Sequence, residues 1–321
     1  MMEKIRTSES VSPMHPDKIC DRISDAILDA CLQQDKNSRV AVESMGGHGI
    51  ITITGEITSD ANVNFREIAK KIVGDKYGIQ VNIVKQSREI SQGVDIGGAG
   101  DQGIMVGYAC DETPALMPLE VMLARNLNKH IYQSHPFDGK TQITLNNGLI
   151  ETVIASFQNV SGEKLIELIN AWLSDKKLAQ NCKIFANPAG DWNIGGFEAD
   201  TGLTGRKLAV DNYGTRIPIG GGAFSGKDYT KVDRSAAYMA RKIAVDLLKQ
   251  NNAKEVFVHL AYAIGKPEPV MAVAMIDGRE NEITGYDLTP NGIRKFLKLD
   301  EQPYEATAQY GHFGNNFIWD N

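Results

Sequence analysis

One order of elements recurs three times along this chain, and it limits the fold more than any other feature. A helix-length stretch, Pro16–Gln34, carries Ile19, Ile23, Ile27 and Ala30 at helical spacing. Two alternating stretches follow, Arg39–Met45 and Ile50–Thr58, turned at Gly46-Gly47-His48-Gly49 and read as a β-hairpin. Helix Val63–Tyr77 and a short strand, Gln80–Lys85, complete the pass. The second pass has helix Ala115–Tyr132, strands Thr141–Leu145 and Leu149–Phe157 turned on Asn146-Asn147-Gly148, and helix Gly162–Asp175. The third has helix Asp233–Gln250, strands Glu255–Ile264 and Val270–Ile276, and helix Pro290–Leu297. Three passes predict an α+β protein of three related units of about a hundred residues each. The expected domains are residues 1–95, 99–194 and 195–321.

Between the passes lie glycine-rich polar segments, and the most informative is Gly220-Gly221-Gly222-Ala223-Phe224-Ser225-Gly226-Lys227-Asp228. Consecutive glycines let a backbone approach a ligand and turn successive N–H groups toward an anion. Lys227 and Lys231 add full charges beside those dipoles. From Gly221 the spacing fits a Walker A phosphate loop, but Asp228 stands where magnesium needs a hydroxyl. A glycine-rich turn beside a solvated charge run is the alternative reading. The chain's formal net charge of -6 argues against general nucleic-acid binding, so Arg206, Lys207, Lys227 and Lys231 read as a local anion site.

Other segments carry chemistry of the same kind. His15-Pro16-Asp17-Lys18 opens the first helix, where free N–H groups and the helix dipole favour phosphate. Asp17 there is either a metal ligand or an acid that complements the dipole. Glu43 and Glu56 lie on the two strands of the first hairpin, and Glu56 faces away from Ile51, Ile53 and Ile57. Each is either solvated or functional. Cys20, Cys31, Cys110 and Cys182 have no Cys-x-x-Cys spacing and read as free thiols in a reducing compartment. No N-terminal apolar region or membrane-length run is present, so the expected location is cytoplasmic, without membrane partners.

In order along the chain stand His-Pro-Asp-Lys at 15–18, Gly-Ala-Gly-Asp-Gln-Gly at 98–103, Gly-Leu-Thr-Gly-Arg-Lys at 202–207 and the glycine-rich loop at 220–228. With Lys-Val-Asp-Arg-Ser-Ala-Ala-Tyr at 231–238 and Tyr-Gly-His-Phe-Gly at 310–314, the set resembles the S-adenosylmethionine synthetase (methionine adenosyltransferase) family from about Thr7 to Trp319. The resemblance implies three pseudo-threefold-related α+β domains, each a sheet with helices on one face. It also implies homodimers, in some cases paired into tetramers, with active sites shared between chains. The implied reaction joins ATP and L-methionine into S-adenosylmethionine, then hydrolyses the triphosphate to pyrophosphate and phosphate. A kinase or ATPase using residues 221–227 as a divergent phosphate loop is the competing function. A catalytically dead relative would have lost some of His15, Asp17, Lys227 and Asp233, and none is lost.

By resemblance, His15, Lys140, Arg206, Lys227 and Lys231 are the catalytic residues. ATP is held by those residues with Lys18, Asp138, Trp192, Asp200, Lys207 and Ser225, and Trp192 stacks where the family usually has Phe. Methionine falls to Glu56, Gln92, Asp101 and Ile264. Two Mg2+ per site are assigned to Asp17 and Asp233, and K+ to Glu43. The chain departs from the family at Pro13-Met14, where Glu-Gly is usual, and at Asn315, where Arg is usual. Only Ile96–Ala99 separates Asp95 from Gly100, where the family has a longer gating segment. An open active-site mouth is therefore expected, with weaker methionine binding and looser choice of nucleotide base.

Overall fold

In the computed structural model, which describes residues 4–87 and 97–321, each expected hairpin lies at the centre of a four-stranded sheet. The strands are β1 (Ile5–Val11), β2 (Arg39–Gly47), β3 (Ile50–Thr58), β4 (Gly78–Val84), β5 (Gly103–Cys110) and β6 (Gly139–Asn146). They continue with β7 (Leu149–Phe157), β8 (Ala179–Ala186), β9 (Gly202–Leu203), β10 (Glu255–Tyr262), β11 (Met271–Ile276) and β12 (Arg279–Glu282). The helices are α1 (Pro16–Gln34), α2 (Phe65–Val73), α3 (Leu119–Ser134), α4 (Gly162–Leu173), α5 (Val232–Asn251), α6 (Pro290–Leu297) and α7 (Tyr304–Tyr310), besides a single turn at Leu208–Asp211. Sheet orders are β4-β3-β2-β9, β1-β6-β7-β8 and β12-β11-β10-β5.

The strand before each long helix joins another unit's hairpin. β1, before α1, runs antiparallel to β6 with Thr7 opposite Thr144. β5, before α3, pairs with β10 and sets Tyr108 opposite Phe257. β9, before α5, pairs with β2 and sets Leu203 opposite Met45. The exchange passes from first unit to second, second to third, and third back to first. Each long helix then packs on its own hairpin and on the strand received: α1 on β2 and β9, α3 on β6 and β1, α5 on β10 and β5. A hairpin alone is marginally stable and leaves open edges, and the received strand covers one of them. The units differ on the other edge. β4 and β8 run parallel to β3 and β7, whereas β12 is antiparallel to β11.

One apolar core joins the first and third units, including Ile23, Ile27, Val42 and Ile53 with Tyr238, Ile243, Val258 and Leu260. A second core, including Leu127, Ile131, Ile143, Val153, Phe157 and Trp172, belongs to the central unit. Each fully buried aliphatic side chain contributes about 1.5–3 kcal/mol. Where α5 crosses β5, a Cβ added at Gly107 would lie 2.1 Å from the Ala240 carbonyl. Gly107→Ala should therefore separate helix from strand and cost about 1–3 kcal/mol, the usual range for overpacking. A urea midpoint unchanged from that of the native chain would contradict this. All four cysteines are free, and three are buried. Among the described residues, no helix is long and apolar enough to cross a membrane.

Candidate active site

The expected site residues fall into two clusters of one protomer. The first surrounds the start of α1, where Pro16 occupies the first turn and His15 is the N-cap. His15 Nδ1 accepts the Asp17 backbone N–H at 3.2 Å. Asp17 is buried and accepts the Leu203 N–H at 2.9 Å. Its carboxylate also meets Lys207 Nζ at 2.5 Å and Arg206 Nε at 3.4 Å. Burial acts to raise the Asp17 pKa, but Lys207 and the Leu203 amide together hold it below the ordinary value. Burial, reinforced by the Lys207 charge, pushes the His15 pKa down to about 4. The ring is thus neutral near pH 7, and because Nδ1 accepts, its proton sits on Nε2.

Lys140 and Asp200 lie close enough for their charges to reach His15. Lys140, on β6, is half exposed and 3.5 Å from Glu9. Asp138 accepts the Gly196 N–H at 2.9 Å, and burial raises its pKa against that hydrogen bond. Gly196 in turn stands beside the Met14 carbonyl, so the loop carrying half-buried Trp192 borders the entry to α1.

The second cluster surrounds the start of α5, with Lys231 at its N-cap and Asp233 in its first turn. Lys227 Nζ is 2.7 Å from Asp233. Gly222 is required here because an added Cβ would lie 2.2 Å from the Asp233 carboxyl carbon. The loop runs along the part of the β2 edge that β9 does not reach: the Val42 N–H donates to Gly226 O at 3.1 Å, and the Asp228 N–H donates to Val40 O at 3.1 Å. Glu43 follows on β2, and the charges of Lys227, Lys231 and Glu56 all reach it. Burial, aided by Glu56, raises the Glu43 pKa, while the two lysines oppose the rise. Glu56 shares the hairpin face that turns away from the core. Asp101, exposed, precedes Gly103, which abuts the Asp233 carboxylate.

Between the clusters α1 does something its sequence did not announce. Asp17, Asp21, Asp25 and Asp29 recur every fourth residue, a row that ordinarily marks a wet helix face. Each instead accepts backbone N–H groups from segments beyond residue 200. Asp17 takes Leu203, Asp21 takes Gly205 at 2.8 Å, Asp25 takes Gly226 at 2.8 Å, and Asp29 takes Tyr304 and Glu305 at 2.9 Å. The two cationic loops are thus hung on successive rungs of one helix. The spacing of the four acids was the available signal.

Some expectations need correcting. Lys18, expected to bind ATP, is fully buried, with Nζ 2.5 Å from Asp211 and 3.1 Å from Asp21. It ties α1 to the Leu208–Asp211 turn and offers nothing to a ligand. Ser225 is also buried, at 4% exposure, rather than presented on the loop surface. Asp228, which broke the Walker pattern, accepts the Val40 and Thr230 N–H groups and pairs with Lys231, a structural cap. The next helix begins at Val232, not directly after Lys227 as a Walker loop requires. Ile264 is exposed, on a turn fixed to Ala99 by two backbone hydrogen bonds, Ala99 N to Lys266 O and Gly265 N to Ala99 O. Gln92 and Ile96, the first residue of the short gating segment, lie outside the described residues.

No group of three or more acid, His or Cys side chains suited to a metal occurs among the described residues. Asp233, with its side chain 20% exposed, offers one carboxylate, which fits Mg2+ carried in on phosphate oxygens rather than a protein cage, whereas Asp17 is buried and would bind a metal only by releasing Lys207.

Comparison with known proteins identifies the family. Models of the S-adenosylmethionine synthetase N-terminal, central and C-terminal domains match residues 3–91, 96–192 and 194–321. A Brachyspira hyodysenteriae protein named S-adenosylmethionine synthase is 41% identical over 374 aligned residues, covering 98% of this chain and 95% of its own length. One from Prochlorococcus marinus is 40% identical over 391, with 99% and 96% covered. Both alignments exceed the 321 residues here, so the relatives carry extra segments inside the matched region. With all three domain models matched in order, the chain belongs to the S-adenosylmethionine synthetase family.

Proposed function

We propose that the two clusters form the catalytic site of a methionine adenosyltransferase that converts ATP, L-methionine and water into S-adenosylmethionine, pyrophosphate and phosphate. The methionine sulfur attacks C5′ of ATP with its own electron pair. As the S–C5′ bond forms, the C5′–O bond breaks and its electrons leave on triphosphate. Water then cleaves that chain. The thioether has no proton to lose, so this step needs no general base. The barrier lies in charge developing on triphosphate, which positioned cations and donors lower.

The observation that carries this reading is the gathering of Lys207, Arg206, Lys140 and the His15 donor around one helix start, with Lys227 and Lys231 around another. Neutral His15 would donate Nε2–H to the departing oxygen. Asp17 and Asp233 would hold Mg2+, which neutralises phosphate charge when bound, and Glu43 would hold K+. Glu56 and Asp101 would take the methionine ammonium, with Ile264 beside its chain. Asp138, Asp200 and Trp192 would place the adenosine. Incubation with ATP, methionine, Mg2+ and K+ should yield S-adenosylmethionine by mass, and ADP alone would favour a kinase instead.

The division into two clusters supports a site completed by a second protomer, and hence a homodimer. The short 96–99 segment supports an open mouth. Turnover with GTP and CTP should then fall within about tenfold of that with ATP, the discrimination available to one imperfect pocket contact. Strict ATP preference would refute the open mouth.

A further inference from the structure

The Asp25–Arg234 pair lies beneath the glycine-rich loop, buried with side-chain exposures of 0% and 1%. Burying two charges is costly unless every hydrogen-bonding position is satisfied, and here Arg234 meets that condition. Its Nη1 donates to Asp25 Oδ1 at 2.6 Å and to the Lys227 carbonyl at 3.2 Å, Nη2 to Asp25 Oδ2 at 2.9 Å and Thr307 Oγ1 at 3.1 Å, and Nε to Tyr238 Oη at 3.0 Å. These use all five guanidinium N–H donors. The Tyr304 ring stacks on its plane, 4.2 Å from Cζ to centroid.

Tyr238 Oη lies 2.8 Å from His312 Nδ1. Tyr238 Oη accepts from Arg234 Nε, so the phenol links the guanidinium to the His312 ring. His312 packs edge-on against Phe224 of the loop, with ring centroids 4.8 Å apart. Both sides of the Gly226–Lys227 peptide unit are therefore held from below: Asp25 takes the Gly226 N–H, and Arg234 takes the Lys227 carbonyl. Gly226 has φ of +80° and would drive a Cβ to within 1.9 Å of the Val42 carbonyl, so the backbone has no freedom on its other side.

We propose that Asp25 and Arg234 are positioning residues for Lys227, with Tyr238 and His312 as their support. This gives a role to Arg234, Tyr238 and the Tyr-Gly-His-Phe-Gly segment, none of which reaches the candidate ligand site. It rests on the reading of Lys227 as a phosphate ligand. The pair fixes the loop against α1, whose rungs rise about 6 Å every four residues. Asp21, one rung earlier, fixes Gly205 before Arg206 and Lys207. One helix thereby sets the spacing of both cationic loops.

Lys keeps the charge opposite Asp25 but lacks the planar fork that reaches four partners at once. Arg234→Lys should lower kcat about a hundredfold, the effect of misplacing a catalytic group by about 1 Å, with KM for methionine unchanged. Combined with Lys227→Ala, it should cost less than about threefold further, because residues acting through one group are not additive. Equal losses from Arg234→Lys in native and Lys227→Ala backgrounds would overturn the proposal. If Arg234→Lys fails to fold by circular dichroism, Tyr238→Phe carries the test. It removes one hydroxyl and keeps the ring, and it should lower kcat in the native background only. Unchanged kcat in that variant would overturn the proposal equally. Lys227→Ala without effect on its own would instead remove the phosphate-ligand reading.

Discussion

Lys227→Ala and His15→Ala should each lower the rate of S-adenosylmethionine formation by about a thousandfold, the upper end for loss of one preorganised donor to developing negative charge. Both side chains are mostly buried yet reachable, at 19% and 15% exposure, so their environments already exclude much of the water that would weaken them. The effects should appear in kcat more than in KM, because triphosphate charge peaks as the C5′–O bond breaks. His15→Gln should recover part of the loss, since a neutral amide can also donate, whereas Lys227→Met should not. Steady-state kinetics with ATP and methionine varied separately give the comparison. Near-normal kcat in either alanine variant would remove that residue from the site.

The second large effect is a recovery. Asp101 and Lys207 belong to different clusters of one protomer: Asp101 adjoins Asp233 by way of Gly103, and Lys207 binds Asp17. If each site takes one cluster from either chain of a twofold dimer, Asp101→Asn and Lys207→Ala chains should both be inactive alone. Mixed after partial unfolding and refolding, they should regain about a quarter of native activity. Half the dimers would be mixed, and one of two sites in each would be intact. No recovery in mixtures that native gels show to contain heterodimers would place each site within a single chain.

The hairpins and long helices were legible because their signals are local. Asn146-Asn147-Gly148 dictates its own turn, and α6 matches its expected bounds at Pro290 and Leu297. β1 and β5 were not legible, since their partners lie more than a hundred residues away and nothing in Ile5–Val11 or Gly103–Cys110 specifies them. The cationic loops could be found from residue type and spacing. Lys18 could not be placed, because a lysine beside a phosphate-binding motif reads as a ligand until Asp211 is seen to be packed against it. The role of the aspartate row was not legible for a similar reason: its hydrogen-bond partners are main-chain amides, and sequence does not display those.

The circular exchange of strands also bears on how the chain emerges from a ribosome. β1 is made first, yet its partner β6 ends at Asn146, and β2 awaits β9 at Gly202–Leu203. α1 stays half covered longer still, until Gly226, Arg234 and Tyr304 appear. Nothing resembling a finished domain is available to the early nascent chain, and the sheet edges it leaves open are surfaces on which neighbouring chains can pair. Synthesis at about 5–20 residues per second leaves them open for about ten seconds or more. A fold closed in a ring thus ties the fate of its first hundred residues to its last, and nascent chains stalled short of the last third should be the ones that chaperones hold.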